Sequence, residues 1–565
     1  MKNKFVFQPT FFKCLKGYNG KQFSTDLMAG IIVGIVAIPL AIAFGIASGV
    51  GPTEGLVTAI IAGFLISLLG GTKVQIGGPT GAFIVIIYGI IQQHGLTGLM
   101  IATIMAGIML ILMGVFKLGT IIKFVPYPVI VGFTGGIALT IFSTQMNDFF
   151  GLGITDVPAD FLHKWWCYIQ HTGDINWWSF GIALMSLLII IFTPKISSKV
   201  PGSLVAIIVA TLAVWLLDEF TAIEGVKSIS TIGDLYTLPQ GMPAPTLPEL
   251  SLKEGETILG VVQSLFPAAF TIAILGAIES LLSAMVVDGV IGDKHDSNTE
   301  LIGQGIANVV VPFFGGIPAT GAIARTMTNI NNGGRTPIAG IIHAIVLVLI
   351  LLVLMPYAKY IPMATLAGVL LVVSYNMSGW RTFKGLMKNP KSDVTVLLVT
   401  FFLTVIFDLT IAIEIGLIIA CALFIKRVME TTEISVIEEE IHPSEESEEC
   451  LSIPEGCAVY EINGPYFFGI ANKFEELESS LKGGSRPKVQ IIRMRRVPFI
   501  DSTGIHNLTT LIEMNHENGT EVILAGITPK VQKQLLKAKF HKVLPSKNFC
   551  NNIDEALRRA EEILK

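Results

Sequence analysis

The chain has 565 residues, of which 52% are apolar and only 15% charged, a balance that no soluble protein of this length would carry. A net charge of −4 gives no electrostatic basis for nucleic-acid binding, and no such partner is expected. The six cysteines (Cys14, Cys167, Cys421, Cys450, Cys457, Cys550) lack both the C-x-x-C spacing of a zinc site and the density of a disulfide scaffold, so they read as free thiols.

Lys2, Lys4, Lys13, Lys16 and Lys21 precede the first acid, Asp26, with no small-residue cleavage site, and this end is expected to be cytoplasmic and uncleaved. Stretches such as Leu27 to Val50 and Leu99 to Val115 then run for about 20 residues with few or no charges, enough to cross roughly 30 Å of hydrocarbon. Fourteen such segments are predicted, beginning near residues 24, 53, 80, 96, 122, 178, 202, 262, 300, 320, 336, 363, 393 and 409, several of them short and broken by Gly or Pro. Threading them from a cytoplasmic start places Lys73, Lys117, Lys123, Lys195, Lys199, Arg335, Arg381, Lys384, Lys388 and Lys426 inside and the acid-bearing loop from Leu217 to Glu256 outside. From Glu430 onward charges are frequent and no apolar run can span. The expected division is a cytoplasmic segment 1–23, a membrane domain 24–427, an acidic linker 428–454 and a soluble cytoplasmic domain 455–565.

An internal repeat is the most informative feature of the membrane half. Gly77-Gly-Pro-Thr-Gly-Ala82 returns as Gly315-Gly-Ile-Pro-Ala-Thr-Gly-Ala322, and Phe124-Val-Pro126 with Gly132 is echoed by Tyr360-Ile-Pro362 with Gly368. Seven segments in each half, an odd number, make the second copy run through the membrane upside down, an inverted-topology repeat. Glycine and proline deny the chain a continuous helix at the repeated motif and leave an extended stretch followed by a half-helix. Inverted symmetry then points two half-helix N-termini at one cavity, an anion site made of backbone amides. The candidate amides are those of Thr80, Gly81, Ala82 and Phe83 in the first copy and Gly321, Ala322, Ile323 and Ala324 in the second. The plainer alternative is that these glycines only allow close helix packing.

Glu279 stands in an apolar span, where a carboxylate costs roughly 2.5–3.5 kcal/mol even on insertion scales. Ser283 lies one helical turn away on the same face, and the two read as a holder for a coupling H+ or Na+; the alternative is a structural hydrogen bond between helices. Two roles fit Arg325, positive potential at the anion site or snorkelling to the cytoplasmic surface. Phe44, beside Pro39, is a weaker candidate for lining the cavity, and His94 and His343 carry no assigned role.

These residues carry a resemblance over nearly the whole chain. The strings Gly70-Gly-Thr-Lys-Val-Gln-Ile-Gly-Gly-Pro-Thr-Gly-Ala82, Leu301-Ile-Gly-Gln-Gly-Ile-Ala-Asn308 and Phe314-Gly-Gly-Ile-Pro-Ala-Thr-Gly-Ala-Ile-Ala-Arg-Thr326 resemble the SulP (sulfate permease) family, relatives of the animal solute carrier 26 anion transporters. The resemblance implies a polytopic α-helical membrane protein of about fourteen spans in a seven-plus-seven inverted repeat. A core (spans 1–4 and 8–11) would slide against a gate (spans 5–7 and 12–14), with substrate between the third and tenth spans. It associates the position of Glu279 with the coupling cation and that of Arg325 with anion potential, and it implies a homodimer in the bacterial inner membrane with both termini cytoplasmic. Ala324 replaces the serine that precedes this arginine in some relatives. Ile274 to Leu282, Gly292-Asp-Lys-His295 and Pro362 to Met377 resemble the DauA-like branch, which implies proton-driven C4-dicarboxylate uptake, with sulfate and bicarbonate left open.

The tail alternates in the α/β manner. Strands are predicted at Ala458–Ile462, Val489–Met494 and Glu521–Ala525, and helices at Lys473–Leu481, Gly504–Asn515 and near Val531 and Asp554. The turn Phe499-Ile-Asp-Ser-Thr-Gly504 is similar to the STAS domain of anti-sigma-factor antagonists. There Asp501 and Ser502 occupy the acidic and phosphorylatable positions, although a helix cap by Ser502 or Thr503 is the plainer reading. A STAS domain of this kind implies a cytoplasmic protein partner. No nucleotide-binding loop, paired-histidine motif or nucleophile triad is present, so no enzyme activity, cofactor or metal other than sodium is expected and transport is expected to run on gradients.

Overall fold

A chain in hydrocarbon must satisfy its backbone internally, so the uncharged apolar runs become helices. The computed structural model describes residues 7–120, 126–155, 157–158, 160–196, 201–220, 229–238, 241, 243–246, 258–407, 409–431, 433–437, 453–468 and 487–565. These divide into two compact units, Met1–Ile418 and Ile419–Lys565.

The first unit begins with α1 (Thr10–Cys14), α2 (Gly20–Ala47), α3 (Pro52–Leu69), the two-residue strand β1 (Gly77–Gly78) and α4 (Ile84–Val115). It continues with α5 (Tyr127–Thr144), α6 (Met146–Phe150), α7 (Phe161–Gln170), α8 (Trp177–Ile196), α9 (Gly202–Phe220) and α10 (Ile232–Leu235). The second half comprises α11 (Ile258–Ile291), α12 (Ser297–Val310), β2 (Thr320–Gly321), α13 (Ile323–Asn331), α14 (Pro337–Val353) and α15 (Met355–Ala358). It ends with α16 (Met363–Ser378), α17 (Trp380–Leu386), α18 (Lys391–Ile406) and α19 (Leu409–Thr431), in which the division between the two units falls. Among the described residues, eight helices are long and apolar enough to cross a bilayer unaided, whereas α12, α13, α14 and α18 have only 14, 9, 17 and 16 residues. Helix α4 holds two of the expected spans. Gly95, at φ 68° and ψ −172°, breaks it in a conformation essentially closed to other residues.

Helices α2, α3, α4 and α11–α14 pack together as a core, and α5, α6, α8, α16 and α18 as a gate. Helix α4 crosses α12 at close range. A methyl added to Gly107 would fall 2.7 Å from the Gly305 carbonyl oxygen, and one on Gly305 2.6 Å from that of Gly107, so only paired glycines let these backbones meet. Asp26, fully buried, caps the start of α14: it accepts from Arg335 N at 2.9 Å, Thr336 Oγ1 at 2.5 Å and the Tyr18 hydroxyl at 3.0 Å. In the gate, Ser374 Oγ donates to the Ala138 carbonyl at 2.5 Å. Each is the twelfth residue of its helix, so the contact joins equivalent points of the two inverted halves. Leu112, Leu188, Ile345, Leu349 and Phe402 are exposed, the apolar exterior of a protein solvated by lipid.

The second unit is a five-stranded sheet in the order β3 (Glu433–Ile437), β4 (Cys457–Asn463), β5 (Val489–Arg496), β6 (Glu521–Ala525), β7 (Phe549–Cys550), its first pair antiparallel and the others parallel. Helices α20 (Ser502–Glu517) and α21 (Pro529–Lys537) cover one face through Leu508, Leu511, Val531 and Leu535, and α22 (Ile553–Leu564) covers the other through Ile553, Ala556 and Ala560. The sequence expectation needs two corrections here. Residues 428–454 are not linker throughout: α19 extends to Thr431, and β3 pairs in full register with β4 from Glu433↔Asn463 to Ile437↔Val459. The cap of α20 is Asp501, whose carboxylate accepts from Gly504 N at 2.7 Å; Ser502 is the first helical residue and is exposed. The acidic run Glu438–Glu449, the predicted helix Lys473–Leu481 and the motif residues Phe124 and Val125 lie outside the described residues.

Candidate anion and coupling-ion site

The repeated Gly-Thr motif creates two extended segments, and the fold pairs them. β1 and β2 run antiparallel with Gly77 opposite Gly321 and Gly78 opposite Thr320. On one side of this crossing α4 begins through a tight turn at Gly81–Phe83; on the other α13 begins at Ile323. The N-termini of two half-helices therefore meet over one short ribbon, and each contributes positive dipole and unpaired N–H groups.

Helix α11 holds the two extended segments in place. Thr80 Oγ1 donates to Glu279 Oε2 at 2.8 Å, so the half-buried carboxylate sits directly on the first half-helix start. One residue on, Ser280 Oγ lies 2.7 Å from Thr320 Oγ1 and accepts from Gly321 N at 3.0 Å, while Thr320 Oγ1 donates to the Gly276 carbonyl at 3.2 Å. Thr80 and Thr320 are equivalent in the repeat, and each is fastened to α11 by its hydroxyl.

From the other side, α13 hooks onto the backbone that runs through β1 to the first half-helix. Arg325 Nη2 donates to the Pro79 carbonyl at 2.5 Å, Thr326 Oγ1 accepts from Ile76 N at 3.1 Å, and Asn329 Nδ2 donates to the Val74 carbonyl at 2.9 Å. Arg325 is 2% exposed and does not reach the surface; its Nη1 has no partner among the described residues. Gly78, at φ +154°, makes room for it, because a Cβ there would collide with Nη1. Beneath, Gln304 and Asn308 each donate to the Ala319 carbonyl at 2.9 Å, and Ala319 N donates back to Asn308 Oδ1 at 2.9 Å. Buried Glu300 accepts from Gly71 N, Thr72 Oγ1 and Gln75 Nε2. This frame accounts for the polar residues of the Leu301–Asn308 motif.

Five of the eight predicted amides, those of Thr80, Gly81, Ala82, Ile323 and Ala324, have no acceptor among the described residues. Three are taken: Phe83 N bonds to Thr80 O at 3.3 Å, Gly321 N to Ser280 Oγ, and Ala322 N to Ile76 O at 2.9 Å. Phe44 is buried and shares a cluster with Phe83. Glu279 bonds to Thr80, and the buried Ser283 hydroxyl, one turn further along α11, has no partner among the described residues. The site borders the gate, since a Cβ on Gly81 would lie 2.8 Å from Met377 Sδ and 3.4 Å from Ile141 Cδ1. Sequence reading missed Ser280, Thr320 and Met377. Thr320 was signalled by its equivalence to Thr80 in the repeat.

Two inverted helical halves with facing half-helix N-termini, followed by an α/β domain, define a membrane anion transporter rather than an enzyme. The sulfate permease family model matches residues 23–400 and the STAS domain model residues 451–556. The YvdB protein of Bacillus subtilis (strain 168) is 44% identical over 96% of this chain and 98% of its own length. The bicarbonate transporter BicA of Synechocystis is 30% identical over 95% and 94% respectively. The structure of the murine solute carrier 26 family member A9 anion transporter in the inward-facing state superposes with a TM-score of 0.87 at 18% identity, covering 100% of this chain and 96% of that one. The chain belongs to the sulfate permease family, as a multi-pass membrane anion transporter with a C-terminal STAS domain.

Proposed function

We propose that the protein is a secondary active transporter that couples uptake of a small anion to influx of H+ or Na+ by elevator-type alternating access. The observation that supports this most is the Thr80–Glu279 hydrogen bond, which sets a half-buried carboxylate against the amides that would receive the anion. An ionised Glu279 opposes a second negative charge beside it, and a bound proton or sodium ion removes that opposition, so the two ligands favour each other. Thr80 with Glu279, and Ser283 on the same helix as Glu279, are the proposed cation ligands; the free amides at Thr80, Gly81, Ala82, Ile323 and Ala324, with Arg325 and Phe44 around them, form the proposed anion pocket.

Sulfate and bicarbonate are the first substrates by relationship, and C4-dicarboxylates the third class. The protein works as a homodimer in the bacterial inner membrane, both termini cytoplasmic, with the STAS domain receiving a cytoplasmic partner and Ser502 open to phosphorylation. The test is uptake of radiolabelled sulfate, bicarbonate and succinate into proteoliposomes under separately imposed proton and sodium gradients. Accumulation of one anion driven by one gradient supports coupled transport. Flux indifferent to both gradients means a channel or exchanger on the same scaffold, and absence of flux for all three favours a membrane-anchored signalling protein.

A further inference from the structure

A large cavity in the membrane domain lies away from the crossing, within the gate, between α5, α8, α16, α17 and α18. It holds about 1090 Å³, just above the ~300–1,000 Å³ range of small-molecule pockets. Leu139 and Phe142 of α5, Ile190 of α8 and Leu398 and Phe402 of α18 give it apolar walls, and its polar lining residues Ser374, Asn376 and Ser378 fall in the last turns of α16, with Lys384 on α17. The polar part follows the Ala138–Ser374 contact towards the end of α16, where the chain turns into α17.

Basic residues predominate at that end, where the acid is Asp393 in the first turn of α18. Lys384 lines the cavity and Arg381 lies on the same short helix with its guanidinium 5.8 Å from the Trp380 ring centroid. Lys195 closes α8 one residue beyond Pro194, another wall residue. Lys388 follows just after α17. By the distribution of basic residues this is the cytoplasmic end. The rim is aromatic as well: Trp380 Nε1 donates to the Tyr375 hydroxyl at 3.0 Å, and both side chains are exposed, as Trp and Tyr are at a membrane–water boundary. An apolar slot with cations and amphipathic rings at its cytoplasmic end matches an anionic amphiphile in chemistry and orientation.

We propose that the gate cavity is a binding site for an anionic phospholipid of the cytoplasmic leaflet, acyl chain between α5, α8 and α18 and phosphate on Lys384. A zwitterionic lipid would fill the apolar part but gain less from the basic rim. Because the cavity borders α5 and α16, whose Ile141 and Met377 touch the transport site, its occupant also bears on the rigidity of the gate.

Native mass spectrometry of the full-length protein, titrated with phosphatidylglycerol or phosphatidylcholine, tests this. The wild type should bind phosphatidylglycerol in preference to phosphatidylcholine. Lys384→Ala should weaken phosphatidylglycerol binding by about fivefold, and Lys384→Glu by more, with little change for phosphatidylcholine. Leu139→Trp, which fills the slot, should reduce binding of both lipids while proteoliposome uptake shows that the protein is folded. Equal binding of the two lipids by the wild type, or a phosphatidylglycerol preference untouched by Lys384→Glu, overturns the proposal. So does loss of a dimer peak in Leu139→Trp with lipid binding intact, which would assign the cavity to a second copy of the chain.

Discussion

Glu279 receives a single hydroxyl, that of Thr80, in the described structure, and the energetic consequence can be bounded. A unit charge about 6 Å from an anion, at an effective dielectric near 20, interacts with it by roughly 3 kcal/mol, a coupling of about a hundredfold in affinity. Glu279→Gln keeps the shape and removes the charge. It should leave the fold and the Thr80 contact largely intact, abolish gradient-driven accumulation, and turn any remaining flux into downhill flux insensitive to pH and sodium; accumulation that persists under either gradient rejects the assignment. A second residue-scale prediction concerns the loops that follow α3 and α11. Lys73 Nζ lies 2.5 Å from Asp293 Oδ2, and this hydrogen bond holds the Asp293 carboxyl below the ordinary carboxylate range and raises Lys73. A depressed carboxyl contributes stability above its unfolded value and loses it as pH falls through the folded value; a raised ammonium loses its contribution only as pH rises through its folded value. The pair therefore contributes most between those limits, and as both partners are well exposed it adds no more than ~1 kcal/mol. Thermal unfolding should place Asp293→Asn slightly below wild type at neutral pH, with the gap closing on acidification through the carboxylate range.

At the scale of elements, the site is a crossing of two short strands fixed by side chains from α11, α12 and α13, and this arrangement sets how much of it could be read in advance. The half-helices and their facing direction were legible because glycine, proline and threonine act on their own backbone, and because the motif occurs twice. The loss of the Gly321 and Ala322 amides to Ser280 and Ile76 was not legible, since it depends on where elements distant in the chain come to lie. The same holds for the hydrogen bond from Thr80 to Glu279, which the tertiary crossing supplies. In the soluble unit, β3 escaped notice because the strand lies directly against the acidic linker and completes a sheet edge only once β4 is present. The clamp of Asn308 on Ala319 gives the corresponding prediction. Asn308→Leu keeps the volume but leaves the Ala319 N–H unpaired, while the Ala319 carbonyl keeps its bond from Gln304, at about 1–3 kcal/mol for the one unsatisfied group. Thermal stability in detergent should fall, and transport should fall with it because β2 and the start of α13 lose their anchor. Unchanged stability would mean that the Gln304 bond alone holds the ribbon.

At the scale of the molecule, the division into core and gate determines what can move. Within the core, α4 and α12 are locked by the Gly107–Gly305 approach and α2 is fixed to the start of α14 by Asp26; within the gate, Ser374 ties α16 to α5, and Ser186 of α8 bonds to Thr365 at 3.2 Å. Contacts across the boundary are of another kind, the flexible Met377 and the end of Ile141 against Gly81, and side chains of this sort can slide without breaking hydrogen bonds. Both half-helix starts belong to the core, so under the proposed elevator exchange an anion held there would travel with it. Spin labels on the lipid-exposed positions Leu112 and Ile345 of the core and Leu188 and Phe402 of the gate distinguish the candidate motions. Under elevator exchange, the Ile345–Phe402 and Leu112–Leu188 distance distributions shift when the transported anion is added with its coupling ion, whereas Leu112–Ile345 and Leu188–Phe402 keep theirs. A shift confined to one of the within-body pairs would replace the sliding core with local opening of a helix, and Gly95, already the break in α4, is the first place such an opening would occur.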